Sequence, residues 1–487
     1  MEEVSTLYSE NFPQKMGKWF RAHGVQYIGH VIEEQGAHCH LGYGVGHFFR
    51  GLAGQDFAMI DSVLHQNIPG LEEGCHSSTF KHNGDFLHWG LGKLASSAAH
   101  LYPEFNGQAV MESFGAYGWR FNLDAMKRMT DHFASRGVNA FVPHAFSNAE
   151  FPDPDCPPHF YARGKNPQWQ YFPDWSRSCR NICEILTGGI HVSGAAILYH
   201  AEAEWSSQPF TPFEKVGAKL QKRHFDYDTV PLDILRRTAV QDGKLKINGE
   251  VFELLIVPEG FLLPEYEAVI SNLQDAGLKV FRGDNIDAAC KYLFSPVEAN
   301  APDYLRTYCY RKNEVLYVYM VNESMSENAE FQMTVDGSYL YDPVYDKRFA
   351  WRKDIRLVPG ESIFAVCAPD WNAGELPEFP APTTELAAWE MTVDEKSCTF
   401  ELNEKPVGRV FLECLQNEGV LEIELNGHKY PGLFAPPYRL DITDAVKAEN
   451  NMKINLIRTP DIPNILEYDI PRNLSMFFKI TSTDGGC

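Results

Sequence analysis

Across residues 12–160, apolar runs of strand length alternate with runs of helical period, and this alternation restricts the fold more than any other feature. Phe12, Met16, Trp19 and Phe20 recur at spacings near three and four, a helical pattern ended by Gly24. Val25–Ile32 then reads as a strand that stops at Glu33-Glu34. A second short strand is expected over Ile60–Leu64, running into His65-Gln66-Asn67, and a helix over Gly92–His100. Gln108–Glu112 is the third strand. Leu123–Ser135 is the next helix, stopped by Arg136-Gly137, and Asn139–Pro143 is the fourth strand, delivering His144. Strands that alternate with helices pair in parallel as βαβ units. Each strand here ends in polar side chains, and (β/α)8 barrels gather their active sites at that end. A barrel needs eight strands, and four precede Gly188. Residues 1–187 are therefore expected to form the C-terminal half of a (β/α)8 barrel, a partial barrel that carries the catalytic groups.

Three further units follow. Residues 188–302 read as a Rossmann- or flavodoxin-like α/β domain. His191–Tyr199 and Val251–Pro258 are its near-continuous apolar strands, as expected when both faces are covered. No G-x-G-x-x-G follows Tyr199, and no Cys lies between Cys183 and Cys290, so neither a dinucleotide site nor an amidotransferase nucleophile is present. The unit reads as structural and degenerate amidotransferase-like, packing beside the barrel or making a homo-oligomer contact. Residues 303–368 show strand signals without helices, an antiparallel β-domain. Residues 369–394 are Pro-rich and read as a linker. Residues 395–487 carry recurring strands and an Asn426-Gly427 turn, the pattern of a β-sandwich.

A net charge of −22 over 487 residues disfavours nucleic acid and anionic membranes as partners and suits a neutral substrate. No run approaches the ~18–20 apolar residues that span a bilayer, and residues 1–20 lack a signal-peptide pattern, so a cytoplasmic location is expected. Eleven Cys are scattered without metal spacing, which points to reduced thiols rather than a disulfide framework.

The chemistry concentrates at Met111-Glu112-Ser113-Phe114, where an apolar run ends at a carboxylate and turns through Gly115-Ala116-Tyr117-Gly118-Trp119. A carboxylate beside aromatic rings suits a sugar-cleaving site, in which the acid does the chemistry and the rings stack on the sugar. Glu112 is expected as base or nucleophile. Glu33 and Glu34 face opposite ways on a strand, and Glu34, nearest the strand exit, is the expected second catalytic carboxyl. His30, Glu33, Tyr117, Trp119 and His144 are expected to bind substrate, although His30 reads equally as a core histidine and the two aromatics as core rings. His38, His40 and His47 invite a zinc reading. No Cys or carboxylate matches them at metal spacing, so a pocket loop is expected and no metal.

Several strings resemble bacterial glycoside hydrolases of family 106, the α-L-rhamnosidase type: GVQYIGHVIEE (24–34), QAVMESFGAYGW (108–119), GVNAFVPHAFS (137–147) and FDYDTVPLDIL (225–235). Asn426-Gly427, Pro436-Pro437-Tyr438 and Leu440-Asp441-Ile442-Thr443 are similar to the galactose-binding-like sandwich of sugar hydrolases. The resemblance implies cleavage of a terminal, α-L-rhamnoside-like sugar from a carbohydrate substrate by two carboxylates. It also implies a Ca2+ cofactor held by site carboxylates, Glu33 among them. Family 42 β-galactosidases share the barrel followed by a Rossmann-like domain, which leaves the sugar open. The family's barrel begins upstream of the first residue here. The missing half is thus expected on another chain or lost, and a non-catalytic carbohydrate-binding or scaffold protein is the second reading.

Overall fold

The computed structural model describes residues 1–31, 38–39, 44–68, 70, 83–206, 208–369, 374–381, 384–403, 406, 408–463, 472 and 474–483. Two helices lead in, α1 (Glu2–Asn11) and α2 (Pro13–Ala22). α1 leaves its apolar Val4 and Leu7 exposed. It buries Ser5 and Ser9, and Ser5 Oγ accepts a hydrogen bond from the Arg50 guanidinium at 2.9 Å. Arg50 lies in a short helix, α3 (Phe48–Leu52).

Residues 25–31, expected as the first strand, belong to no described sheet. Tyr27 N–H donates to the Asp56 carboxylate at 2.6 Å, and Asp56 N–H donates to Tyr27 O at 2.8 Å. Val25 and Ile28 remain exposed. A side-chain carboxylate thus takes the place of a strand neighbour, and the segment runs extended without a ladder.

Among the described residues the barrel-like unit has three parallel strands rather than four: β1 (Ala58–Ser62), β2 (Ala109–Ser113) and β3 (Ala140–Pro143), in that spatial order. α4 (Leu91–Leu101) joins the first two, α5 (Leu123–Ala134) joins the last two, and α6 (Phe172–Ile185) follows. α5 starts where the Asn122 side chain accepts Ala125 N–H at 2.8 Å and ends at Gly137, whose φ is +93°. Ala58, Ile60, Ala109 and Met111 face the helices and enter the main core. Alternation turns Met59, Asp61, Val110 and Glu112 to the opposite face.

Every residue of α4 is buried. Leu91, Leu94, Ala95, Ala98 and Ala99 share one core with β1 and β2 and with strands of the second unit. A helix covered on all sides needs internal partners for its polar groups. Lys93, Ser97 and His100 find them on Asp226 and Asp228.

The second unit holds a mostly parallel sheet. β4 (Ile190–His191) pairs with the antiparallel domain, whereas β5 (Gly194–Tyr199) enters the α/β sheet. The single strand expected over His191–Tyr199 is thus split. Gly194, at φ +80°, makes the break that an L-residue resists. Next come α7 (Ala201–Trp205), α8 (Phe213–Gln221), β6 (Tyr227–Pro231) and α9 (Leu232–Leu235). A hairpin, β7 (Val240–Gln241) and β8 (Lys244–Ile247), leads to β9 (Glu250–Val257), α10 (Pro264–Asp275) and β10 (Lys279–Arg282). The parallel order β6-β5-β9-β10 is flavodoxin-like.

The antiparallel domain has a six-stranded sheet that includes Leu305–Lys312, Val315–Asn322 and Ser362–Cys367, beside a two-stranded ribbon. The terminal sandwich pairs two four-stranded sheets across a core containing Leu412, Phe478, Leu421 and Ile454. Thr384–Thr392, inside the expected linker, is a strand of this sandwich: it pairs antiparallel with Ser475–Ser482 and buries Met391. No helix among the described residues is long and apolar enough to cross a membrane.

Candidate active site

Glu112 and Asp61 are register partners on adjacent parallel strands. Their side chains leave the same face at the C-terminal ends of β2 and β1, with Cα atoms one strand spacing apart, ~4.8 Å. His30 reaches this point from the extended segment. Its Nε2 lies 3.6 Å from Glu112 Oε2 and 3.8 Å from Asp61 Oδ2. The Asp61 side chain is 8% exposed, Glu112 30% and His30 31%. The cluster is therefore a floor with one buried and one accessible carboxylate. The carboxylates are no farther apart than the sum of the two distances to His30. That admits the ~5–5.5 Å of a retaining pair and only the short end of the ~6.5–9.5 Å inverting range.

The turns that leave these strands hold non-glycine residues in the left-handed region: Leu64 and His65 after β1, Phe114 and Ala116 after β2. Such backbone costs on the order of 1–3 kcal/mol per residue and concentrates at functional sites. Asp61 is not legible as a site residue from sequence, because an acid inside Met59-Ile60-Asp61-Ser62 carries no motif. Its signal was a carboxylate within an otherwise apolar strand.

His144 follows β3, where its ring packs against Gly115: a Cβ there would lie 3.4 Å from His144 Cγ. It lines the same set of strand ends. Glu33, Glu34 and His40 lie outside the described residues. The stacking expected of Tyr117 and Trp119 is corrected by burial. Tyr117 is 2% exposed, its ring packs on His65 and Phe121, and its hydroxyl donates to Asn67 O at 3.1 Å while accepting Asn67 N–H at 3.0 Å. Burial pushes its phenol up. Trp119 is 3% exposed and packs edge-on to Phe151 at 5.0 Å. Both rings support the turn after β2 from below. His65, Gln66 and Asn67, expected as strand-end polar groups, are also buried. Asn67 Nδ2 donates to Leu87 O at 3.0 Å.

Ca2+ takes 6–8 oxygen ligands. Among the described residues two carboxylates, Asp61 and Glu112, stand at this point, and Glu33, the ligand that the resemblance implies, lies outside them. His47 is a helix cap: its Nδ1 accepts Arg50 N–H at 3.3 Å, and burial and then Arg50 bring its pKa down to about 3.

The fold has a counterpart among solved structures. The rhamnosidase from Novosphingobium sp. PP1Y superposes with a TM-score of 0.64 at 14% identity, over 97% of this chain and 55% of that one. The chain has a glycoside-hydrolase fold. It spans about half the length of that rhamnosidase. The GH42 beta-galactosidase Gan42B from G. stearothermophilus matches with a TM-score of 0.44 at 9% identity, over 64% of this chain and 60% of that one. The beta-galactosidase from Rahnella sp. R3 gives 0.41 at 10% identity, over 64% and 60%. No protein-family model and no curated protein matches the sequence.

Proposed function

We propose that this chain carries the active site of a glycosidase that releases a terminal, α-L-rhamnoside-like sugar by paired carboxylates. The observation that carries the reading is His30 set against both Glu112 and Asp61 at the strand ends. The rhamnosidase-like fold supports the choice of sugar. Glu112, the accessible acid, attacks the anomeric carbon or activates water. The other carboxyl protonates the leaving oxygen. Asp61 is supported for that second role by its register with Glu112, and Glu34 by its place at the end of the 24–34 string. The buried side chain of Asp61 suits a group whose environment must differ from that of its partner. His30 orients the pair or bonds a sugar hydroxyl, and His144 borders the same strand ends from β3.

The test is a panel of aryl glycosides, α-L-rhamnoside and β-D-galactoside included, given to the purified, folded chain. Release from the rhamnoside alone is expected. Release from the galactoside alone would move the assignment to that sugar, and silence across the panel would contradict glycosidase activity of this chain.

A further inference from the structure

His38, Cys39 and Glu204 bring a ring nitrogen, a thiol sulfur and a carboxylate oxygen within 4.8 Å of one another. We propose that these three side chains bind a transition-metal dication of the Zn2+ class, fastening residues 38–39 to α7 of the flavodoxin-like unit. Side-chain rotation closes such a group to the ~2.0–2.3 Å of Zn–N, Zn–O and Zn–S bonds. A thiolate beside an imidazole and one carboxylate selects a borderline metal over Ca2+ or Mg2+.

The surroundings are those of a built site. His38 and Cys39 are buried. His38 Nδ1 is hydrogen-bonded to the Tyr199 hydroxyl at 2.8 Å, and the same oxygen accepts Phe48 N–H at 3.2 Å. That bond fixes the ring, as the outer-sphere hydrogen bonds of metal-bound histidines do. Phe86 stacks on the imidazole with centroids 4.8 Å apart. Trp205 Nε1 donates to Cys39 O at 2.6 Å, holding the cysteine backbone. The Cys39 thiol donates to Glu204. Metal binding replaces that proton with the cation and releases the proton to solvent. Water completes the fourth position.

Spacing along the chain gives His38, His40 and His47 no metal-type pattern of partners. The thiol is the neighbouring residue, and the carboxylate comes from the second unit. His100, His191 and Asp228 form another compact group, but Lys93 already supplies its cation, 3.2 Å from Asp226 and 3.8 Å from Asp228. Both nitrogens of His191 are taken by carboxylates.

The test uses the full chain, stripped with chelator and reloaded with Zn2+ or Co2+. One zinc per chain by mass spectrometry, and a thiolate-to-cobalt absorption band, are expected. Cys39→Ser should lose both, Glu204→Gln should lose zinc to a chelator that the wild type resists, and Cys398→Ser, in the terminal sandwich, should change neither. A folded wild type that takes up no zinc, or a Cys39→Ser chain that keeps the band and the stoichiometry, would overturn the proposal. If Cys39→Ser does not fold, unchanged zinc retention by Glu204→Gln overturns it.

Discussion

Replacing Lys93 with Met should cost this protein more than any surface substitution. Lys93 is wholly buried in α4, 3.2 Å from Asp226 and 3.8 Å from Asp228, and His191 bonds the same two carboxylates at 2.7 and 3.1 Å. Two buried anions are thus balanced by two cations. At 3.2 Å and an effective dielectric of ~20, the Lys93–Asp226 attraction is about 5 kcal/mol. Removing one partner of a buried pair costs about 3–5 kcal/mol, because an uncompensated charge stays inside. Met keeps the volume of the side chain, so the loss is electrostatic rather than a cavity. Urea unfolding followed by tryptophan fluorescence should report this loss for Lys93→Met. The double variant Lys93→Met/Asp226→Asn restores the charge balance and should recover most of it. A loss below about 1 kcal/mol, or no recovery in the double variant, would refute the view that this network joins the two α/β units.

Stability should fall as pH rises from about 6.5 to about 9. Burial alone would lower the pKa of His191, but Asp228 and Asp226 outweigh it and raise it from 6.5 to about 9. Its contribution is complete below pH 6.5 and is lost as pH climbs through 9. Burial pushes Glu214 and Glu250 up to about 8, so the folded state resists their ionisation and the trend has the same sign. Urea midpoints across that range check it, and a flat or rising profile contradicts it. Tyr117→Phe should cost about 1–3 kcal/mol by stranding the Asn67 N–H that the hydroxyl accepts. It should leave the KM for sugar unchanged, and a raised KM at unchanged stability would restore the stacking role.

Periodicity made much of the scaffold legible, because β1, β2, β5, β9 and their helices bury apolar side chains. It failed where burial was not apolar. α1 packs through Ser5 and Ser9, and the Thr384–Thr392 strand follows a Pro-rich stretch and buries little beyond Met391. It over-read residues 25–31, whose apolar side chains at Val25 and Ile28 face solvent. Glu112 stood out at a strand end, but its partner Asp61 depends on strand register. Nothing local distinguishes Tyr117 and Trp119 as core rings from rings that face a ligand. The approach of Cys39 to Glu204, 165 residues apart, depends on how two units pack and leaves no trace in spacing.

The claim that the ends of β1 and β2 form a catalytic centre is tested most directly by kcat for Glu112→Gln beside Asp61→Asn, on the aryl glycoside that the wild type turns over. The account expects the Glu112 variant to lose at least ~10²-fold in kcat with an unchanged unfolding midpoint, and Asp61→Asn to lose kcat as well. Wild-type turnover by a folded Glu112→Gln chain would contradict it.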